Sequence, residues 1–317
     1  TSKAQIVLTT LIGSGGKHVR IGDNRDNNFN CVVLDEASQT DYAEAMIPMK
    51  FAPKLFIQIG DPMQLGAMAN SSEFAAKGYS ESMIGRMTAG ARFPEVLMLK
   101  EQYRMHPSIR KWVSDHSYDG QLCEMPGFEK RESALAKLPQ SMLLSGLPSA
   151  FINVQGAEST DNTYSVSNMP EAHAIADTVK FLVNSGVPPE TIGVITFYAA
   201  QIAKIQSMLA ASLPADQAAR VFVSTVDGCQ GDEKDFVLLS CVRTVPQVGF
   251  LKDERRVNVA MSRAKHARWV FGHHKTLAVS QSSFSEFFEW IADPKRNNTF
   301  PPTRVLDWRN VKISLGD

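Results

Sequence analysis

The stretch Cys31-Val32-Val33-Leu34-Asp35-Glu36 is a short apolar run that ends in two adjacent carboxylates. Such a run predicts a buried strand of a parallel sheet. At the carboxyl end of such a strand, side chains open into the crevice where ligands bind in α/β proteins. If the site hydrolysed a nucleotide, Asp35 would hold Mg²⁺ and Glu36 would polarise the attacking water. An isolated Asp-Glu pair is more often a solvated strand end, so the pair alone is a weak indication.

A second apolar run, Lys54–Ile59, leads into Gly60-Asp61-Pro62-Met63-Gln64-Leu65. If the two runs are neighbouring strands of one sheet, Gln64 lies beside the two carboxylates. An amide in that position can touch a phosphate or a water without adding charge. The alternative is that Gly-Asp-Pro is only a turn and that Gln64 faces solvent. The two strands together are more specific than either one.

Apolar runs and amphipathic stretches alternate along the rest of the chain, which predicts an α/β fold with a parallel sheet covered by helices. The predicted strands are Gln5–Leu8, Cys31–Leu34, Lys54–Ile59, Phe151–Val154, Ile192–Thr196, Val221–Ser224, Phe236–Cys241 and Trp269–Gly272. The predicted helices are Glu171–Val183, Ala199–Ala211 and Phe284–Ile291, with an irregular end after the last. A region rich in Pro, Ser and Gly, roughly 125–149, separates the two sets of strands. We expect an incomplete first lobe over 1–94, a complete second lobe over 95–280 and a C-terminal tail over 281–317.

Composition indicates a soluble globular protein, because 44% of the 317 residues are hydrophobic and 21% are charged. No apolar stretch approaches the roughly 20 residues that span a bilayer, so we expect no membrane partner. The four cysteines lie far apart without metal-ligand spacing, which favours reduced thiols in an intracellular protein, cytoplasmic or nuclear. The net charge is zero, so a nucleic-acid partner has to be inferred from local sites.

Three further segments carry polar residues in patterns that are ambiguous one by one. Glu101-Gln102-Tyr103-Arg104-Met105-His106-Pro107 contains an arginine in a loop, and His106 is better explained as a structural histidine than as a catalyst. Val223-Ser224-Thr225-Val226-Asp227-Gly228-Cys229-Gln230-Gly231-Asp232-Glu233 leaves a strand through two glycines, which allow the backbone to approach a phosphate or ribose. Arg255-Arg256-Val257-Asn258-Val259-Ala260-Met261-Ser262-Arg263-Ala264-Lys265 predicts a helix with Arg256 and Arg263 on one face.

Taken together, in this order and at these spacings, the five segments resemble motifs II to VI of superfamily 1 helicases. The similarity is greatest to the branch that contains the nonsense-mediated-decay helicase and senataxin, and it extends from Gln5 to about Lys275. The strings D-E-A-S-Q, G-D-P-x-Q-L, Q-Y-R-M-H-P, D-G-x-Q-G-x-E-K-D and R-R-x-N-V-A-x-S-R-A-K are highly specific as a set. Cys229 is a departure, because the family more often has an aromatic residue there. The resemblance implies two RecA-like parallel-sheet lobes and an ATP-dependent motor that moves along single-stranded RNA or DNA.

The resemblance also implies roles for individual residues, with ATP and Mg²⁺ as cofactors. Asp35 would coordinate Mg²⁺, Glu36 would be the general base, and Gln64 would sense the γ-phosphate. Arg104 and Arg263 would act as arginine fingers, which in comparable enzymes supply roughly 10³–10⁵ in rate. Nucleotide contacts would come from Tyr103, Gly231 and Glu233, and contacts with the nucleic-acid strand from Thr196, Tyr198, Ser224 and Thr225.

The phosphate-binding loop, G-x-x-x-x-G-K-[ST], is missing from this sequence. The nearest candidate, Leu11–His18, has Leu in place of the first Gly and His in place of Ser/Thr, and it is followed by residues that disfavour a helix. It matches instead the T-T-x-x-G-x-G segment that the family has before the D-E motif. We therefore expect an upstream half of the motor to supply the loop. The chain alone should be a poor ATPase with modest, salt-sensitive binding to single strands.

Two alternatives from other functional classes remain open. A non-catalytic nucleic-acid-binding or scaffold protein would have kept a helicase-like lobe, although the intact acidic and arginine residues argue against long decay. An NTPase that remodels RNA–protein complexes without unwinding would differ only in a strand-displacement assay. A metal-dependent nuclease is a poor third, because one Asp-Glu pair does not make a two-metal site. The sequence leaves RNA and DNA equally open as substrates.

Overall fold

The computed structural model describes residues 4–16, 19, 29–67, 71–89, 96–126, 144–161, 164–299 and 302–315. The chain divides into two compact units, Thr1–Met98 and Leu99–Asp317. This division falls four residues after the predicted boundary between residues 94 and 95. Most of the predicted Pro-, Ser- and Gly-rich region, residues 127–143, lies outside the described residues, as does the end of the candidate loop, Lys17 and His18.

The first unit is built on a two-stranded parallel sheet of β1 (Cys31–Leu34) and β2 (Leu55–Gln58). Its helices are α1 (Leu11–Gly15), α2 (Tyr42–Ala45), α3 (Ser72–Ala76) and α4 (Met83–Ala89), and short 3-10 helices span Ala37–Gln39 and Ile47–Phe51. Leu34 and Met83 belong to its small buried cluster. The sheet places the residues after β1 and those after β2 at one edge.

The second unit is built on a six-stranded sheet in which every pair is parallel. Its strands are β3 (Ser149–Asn153), β4 (Ile192–Thr196), β5 (Phe222–Thr225), β6 (Lys234–Ser240), β7 (Ala264–Gly272) and β8 (Arg304–Asp307). Their spatial order is β8-β3-β7-β6-β4-β5. The confirmed fold class is therefore α/β with a parallel sheet.

Helices connect and cover these strands, as parallel pairing requires. They are α5 (Pro107–Ser117), α6 (Met169–Asn184), α7 (Ala199–Ser212), α8 (Ala215–Arg220), α9 (Glu254–Met261), α10 (His274–Ala278), α11 (Ser283–Ala292) and α12 (Trp308–Leu315). The remaining short elements are 3-10 helices at Leu144–Gly146, Pro189–Thr191, Asp227–Cys229 and Gly249–Lys252, and two-residue strands at Glu101–Gln102, Cys123–Glu124, Ser159–Thr160 and Val166–Ser167.

Sequence-local signals set the start of two helices of the second unit. The Asn168 side chain accepts a hydrogen bond from the Glu171 N–H at the first turn of α6. The Asp253 carboxylate accepts from the N–H groups of Arg255 and Arg256 at the start of α9. Such caps satisfy backbone donors that a helix leaves free at its first turn.

The strands of the second unit are buried because helices cover both faces of the sheet. All five residues of β4 are buried, and Trp269 and Phe271 of β7 are fully enclosed. Ile175 and Val179 of α6 pack in the same core. This arrangement confirms the prediction that continuous apolar runs in this region are strands of a covered parallel sheet. No helix among the described residues is long and apolar enough to cross a membrane.

Three local predictions are wrong. Gln5–Leu8 is not a strand: no described strand pairs with it, and Ile6 and Leu8 are exposed. The helix predicted through residue 265 ends at Met261, because Ala264 already pairs with Lys234 as the first residue of β7. Arg256 and Arg263 therefore do not share a helix face.

The third correction concerns the C-terminal end, where the sequence predicted an irregular chain. β8 pairs with β3 from Arg304↔Ala150 to Asp307↔Asn153 and forms the edge of the six-stranded sheet. The first residue of α12, Trp308, packs against the core of the second unit, and Val311 is buried in it. The alternation of apolar and polar residues in β8 is too short to be recognised in the sequence. Its partner strand, β3, lies far upstream in the chain.

Candidate functional site

The carboxylates of the D-E motif and the G-D-P turn leave the same edge of the first unit's sheet. β1 and β2 pair in parallel from Cys31↔Leu55 to Leu34↔Gln58. The pairing continues past both strand ends: the Ile59 N–H donates to the Leu34 carbonyl at 2.9 Å, and the Ala37 N–H donates to the Ile59 carbonyl at 2.8 Å. The expectation that the two strands are neighbours is confirmed.

Gly60 is required where these two turns meet. A Cβ at this position would lie 2.8 Å from the Ser38 nitrogen and 3.0 Å from the Ala37 nitrogen. Backbone atoms cannot move aside as a flexible side chain can, so only glycine fits. The G-D-P turn thus packs directly on the turn that follows Asp35 and Glu36.

Asp61 orients Gln64 within the second turn. Its carboxylate accepts from the Gln64 Nε2 at 2.8 Å and from the Met63 N–H at 3.0 Å. Sequence reasoning assigned no role to Asp61, although an Asp that begins a turn and accepts from the N–H two residues later is a familiar pattern. The amide of Gln64 is therefore held by a local partner.

Glu36 has an unusual backbone conformation, with φ at 50° in the left-handed region. Non-glycine residues in sparsely populated regions cost of order 1–3 kcal/mol and cluster at functional sites. The Glu36 carboxylate accepts a hydrogen bond from the Gln39 Nε2 at 2.9 Å. The backbone N–H of Glu36 donates to the Asp35 Oδ1 at 3.0 Å. Both carboxylates are exposed. Gln39 is a second residue of this edge that sequence reasoning did not assign.

The donor set at this edge suits a magnesium ion that is shared with a substrate. Within the described part of the chain, no group of three or more His, Cys, Asp or Glu side chains is placed to hold a metal by itself. In nucleotide sites Mg²⁺ is held by one or two carboxylates, with water and phosphate oxygens completing the shell. The exposed Asp35 carboxylate at a strand end meets that requirement.

In the second unit, Arg104 and Lys265 share one carboxylate. The Arg104 Nε lies 2.5 Å from one oxygen of Glu233, and the Lys265 Nζ lies 2.9 Å from the other. Partial burial would raise the pKa of Glu233, but hydrogen bonds and charge from Lys265 and Arg104 outweigh it, so the pKa is lowered. The predicted residues Arg104 and Glu233 are thus brought together, and Lys265 joins them as a residue that had no assigned role.

The two other residues predicted at the nucleotide flank this cluster in sequence. Tyr103, next to Arg104, has 65% of its surface exposed. Gly231, two residues before Glu233, has φ at 86° and open space where a Cβ would lie. The backbone there takes a conformation that L-residues with side chains rarely adopt. Both roles stay predictions.

Arg263 lies in the interior of the second unit, with only 3% of its surface exposed. It follows α9, and its Nε donates to the Val259 carbonyl at 3.1 Å. Its Nη2 donates to the Ser262 hydroxyl at the same distance. These contacts fix the guanidinium at the end of α9, and the role of an arginine finger stays a prediction.

The four residues predicted to contact the nucleic-acid strand lie at or just after the carboxyl ends of β4 and β5, the last two strands on one side of the six-stranded sheet. β4 and β5 pair in parallel with Thr196 opposite Thr225 and Ile195 opposite Ser224. Ser224 and Thr225 are partly exposed, whereas Thr196 is fully buried. Tyr198 is only 5% exposed, and its hydroxyl donates to the Val248 carbonyl at 3.0 Å. The structure brings these residues together but encloses two of the four side chains.

His106 has a structural role, as expected. Its Nδ1 accepts from the Ser108 N–H at 3.1 Å at the start of α5. Burial, followed by the nearby His266, lowers the pKa of His106 to about 4. The ring is therefore neutral near pH 7, which suits an acceptor.

Comparison with known proteins shows the family to which this chain belongs. Two family models, each described as an AAA domain, match residues 1–72 and 79–275. The chain is 35% identical over 282 residues to the ATP-dependent helicase NAM7 of Saccharomyces cerevisiae, which covers 87% of this chain and 28% of NAM7. It is 35% identical over 287 residues to helicase SEN1 of the same yeast, covering 88% of this chain and 12% of SEN1. The chain belongs to the superfamily 1 helicases.

Within that family, it falls in the branch of the nonsense-mediated-decay helicase and senataxin. Regulator of nonsense transcripts 1 of Dictyostelium discoideum is 34% identical over 281 residues, with 87% of this chain and 20% of that protein covered. The chain thus spans less than a third of each of these relatives. The matched models stop at residue 275, so β8 and α12 of this chain lie outside them.

Motif recognition missed several residues that contact the predicted site residues. Asp61, Gln39 and Lys265 sit within or beside the recognised strings, but their contacts depend on how two turns or two elements meet. Arg256 is the clearest example: its Nε lies 3.1 Å from Asp227 and its Nη1 lies 2.8 Å from Asp253. A sequence shows the charges, and only the fold shows which of them pair.

Proposed function

We propose that this chain carries the hydrolytic and strand-contact residues of an ATP-driven motor that moves along single-stranded RNA or DNA. The observation that carries the proposal is the parallel, in-register pairing of β1 and β2. It places the D-E and G-D-P-x-Q segments at one sheet edge, with Gly60 packed on the turn after Glu36. Strand edges of this kind are where α/β proteins bind ligands.

At this edge, each polar group has a chemical task. Asp35 would hold Mg²⁺, which when bound neutralises charge on the phosphates of ATP. The Glu36 carboxylate would accept the proton of the water that attacks the γ-phosphate. The Gln64 amide, which donates to Asp61 at 2.8 Å, would contact the γ-phosphate or that water. Its contacts would therefore change when the γ-phosphate is lost.

The second unit would supply positive charge to the same nucleotide. Arg104 and Arg263 would stabilise the charge that develops on the transferred phosphoryl group. Because Arg104 is paired with Glu233 in this structure, nucleotide would have to compete for that arginine. Tyr103, Gly231 and Glu233 would contact the base and ribose.

Strand contacts would come from the sheet edge at β4 and β5. Ser224 and Thr225 are partly exposed, so their hydroxyls would contact the phosphate backbone. Thr196 pairs with Thr225 on the neighbouring strand, and Tyr198 follows two residues later. Contacts of this kind are to backbone atoms and stacked bases, which suits movement along a strand without regard to its sequence.

The test uses a completed motor, defined as this chain joined behind a segment of the same family that carries a G-x-x-x-x-G-K-[ST] loop. We expect Glu36→Gln to abolish ATP turnover while ATP binding largely survives, because the amide keeps the shape but cannot accept a proton. Phosphate release and binding of a fluorescent ATP analogue measure the two quantities. Glu73→Gln, an exposed acid of α3 that forms an ion pair with Lys77, is the control. Unchanged turnover in Glu36→Gln would remove Glu36 from the mechanism.

A further inference from the structure

Phe250 is an aromatic side chain that lies half exposed beside the predicted strand contacts. It belongs to the 3-10 helix Gly249–Lys252, between β6 and α9, and 50% of its surface is exposed. Exposing part of a large apolar ring gives up stabilisation that its burial would provide.

Tyr198 fixes the position of the turn that carries Phe250. The Tyr198 hydroxyl donates to the Val248 carbonyl at 3.0 Å, and the two aromatic rings lie 5.4 Å apart at 46°. Gly249 makes this approach possible: its φ is 55°, and a Cβ there would lie 2.6 Å from the Tyr198 hydroxyl. The turn that carries Phe250 therefore packs on Tyr198, which lies between β4 and α7.

Arg256 holds the ring from a second side. Its guanidinium lies 5.1 Å from the centre of the Phe250 ring, within cation–π range. Asp227 and Asp253 bind the same guanidinium at 3.1 and 2.8 Å. Two carboxylates thus keep Arg256 in place, and the ring is supported while part of it stays open to solvent.

The same contacts tie the ring to β5. Asp227 follows Thr225 by two residues, and the Thr225 hydroxyl accepts from the Gly228 N–H at 3.2 Å. A Cβ at Gly228 would lie 2.6 Å from the Ser224 hydroxyl. A continuous set of contacts therefore runs from Ser224 and Thr225 through Asp227 and Arg256 to Phe250.

We infer that Phe250 is a stacking platform for one base of the single strand. This inference rests on the proposed function and adds a base contact to a track otherwise made of hydroxyls. A phenyl ring has no hydrogen-bonding group, so it accepts any base. Stacking on an aromatic side chain is tolerant of sequence for this reason. The phosphates on either side of that base would lie toward Ser224 and Thr225.

The test measures binding of a fluorescent single-stranded oligonucleotide to the 317-residue chain at low salt. Phe250→Leu keeps an apolar side chain against Tyr198 but removes the π face. We expect it to weaken binding by about 5- to 150-fold, the range that loss of one stacked base gives. Phe250→Tyr should bind like the parent chain, and Phe74→Leu, an exposed aromatic of the first unit, is the control.

Two further arms separate stacking from a structural effect. An abasic strand keeps every phosphate, so the parent chain and Phe250→Leu should bind it equally. A strand that contains 2-aminopurine should lose fluorescence on binding the parent chain and lose less on binding Phe250→Leu. The slope of affinity against salt should be the same in both, because no phosphate contact is removed.

The outcomes distinguish this inference from the proposed function. If the parent chain binds strands and Phe250→Leu binds them equally well, Phe250 is not a platform. If Phe250→Leu also loses affinity for the abasic strand, its role is structural and the inference is wrong. If the parent chain binds no strand at any salt concentration, the proposed function fails and this inference fails with it.

Discussion

At the scale of single residues, the second unit contains a carboxyl group that is fully buried. Glu171 accepts from the Ser240 hydroxyl at 2.7 Å and from the Val242 N–H at 2.8 Å. Gln201 joins the group by donating to Ser240 and to the Asn168 carbonyl. Val242 has φ at 68°, a rare conformation for a β-branched residue. The network holds this loop at the end of β6.

This burial predicts a pH dependence of stability. Burial raises the pKa of Glu171 to about 8, against hydrogen bonds from Ser240 and Val242 that lower it. The folded chain therefore binds this proton more tightly than the unfolded chain does. Its contribution is fully present below the unfolded pKa of 4.5 and is lost as pH rises toward about 8. Since one pKa unit is about 1.4 kcal/mol, the change amounts to a few kcal/mol.

The variant Glu171→Gln isolates this effect, because an amide keeps the shape and an acceptor but does not titrate. We expect urea unfolding of the parent chain to show stability falling between pH 4.5 and 8, and the variant to lack most of that fall. Glu289→Gln, an exposed acid of α11, serves as the control. Equal pH dependence in the parent chain and in Glu171→Gln would show that folding does not raise the pKa of Glu171.

Sequence reasoning at this scale identified residue types but not their environments. Asp35, Glu36 and Gln64 follow apolar strands, so their place at a sheet edge was predictable. The burial of Tyr198 was not, because its hydroxyl partner, Val248, is far along the chain and belongs to a different loop. Phe250 carried no recognisable signal, since an exposed aromatic and a core aromatic look alike in a sequence.

At the scale of elements, strands were more predictable than their connections. β4 and β6 were found within two residues because long apolar runs have few alternative explanations. α9 ended earlier than predicted because pairing of Ala264 with Lys234 overrides the helical pattern of the preceding residues. β8 was missed because a four-residue edge strand has no pattern of its own.

The meeting of the turns after β1 and β2 gives a prediction at this scale. We expect Gly60→Ala to destabilise the first unit by about 1–3 kcal/mol, because overpacking against fixed backbone has that cost. Turnover of the completed motor should fall as well, since the turn would move away from Glu36. The control is Gly85→Ala in α4, where the new Cβ meets only the Ser82 side chain at 3.0 Å. Wild-type stability and turnover in Gly60→Ala would show that the two turns need not touch.

At the scale of the whole molecule, the two units differ in how well they bury their sheets. The second unit covers its parallel sheet, as sheets of this kind require. In the first unit, Val33 and Leu55 expose 57% and 53% of their surfaces on a sheet that has two strands among the described residues. A parallel sheet this small is marginal alone, so we expect further structure to cover it in the working motor.

The proposed function implies that both units act on one nucleotide, with carboxylates from the first and arginines from the second. Replacing Arg104 by alanine removes a cation that lies in the second unit and pairs there with Glu233. If Arg104 acts on the γ-phosphate bound near Asp35 and Glu36, its loss should slow hydrolysis without preventing strand binding. Arg263→Lys should act in the same direction while keeping a charge inside the unit. Arg309→Ala, which removes a 75%-exposed guanidinium, is the matched control.

The most direct test is the rate of strand-stimulated phosphate release by the completed motor with and without Arg104. We predict that Arg104→Ala lowers this rate by about 10³- to 10⁵-fold, the effect of losing an arginine finger. Strand binding by Arg104→Ala, and the rate of phosphate release by Arg309→Ala, should equal those of the parent motor. An Arg104→Ala motor that releases phosphate at the parent rate would contradict the claim that the two units share one site.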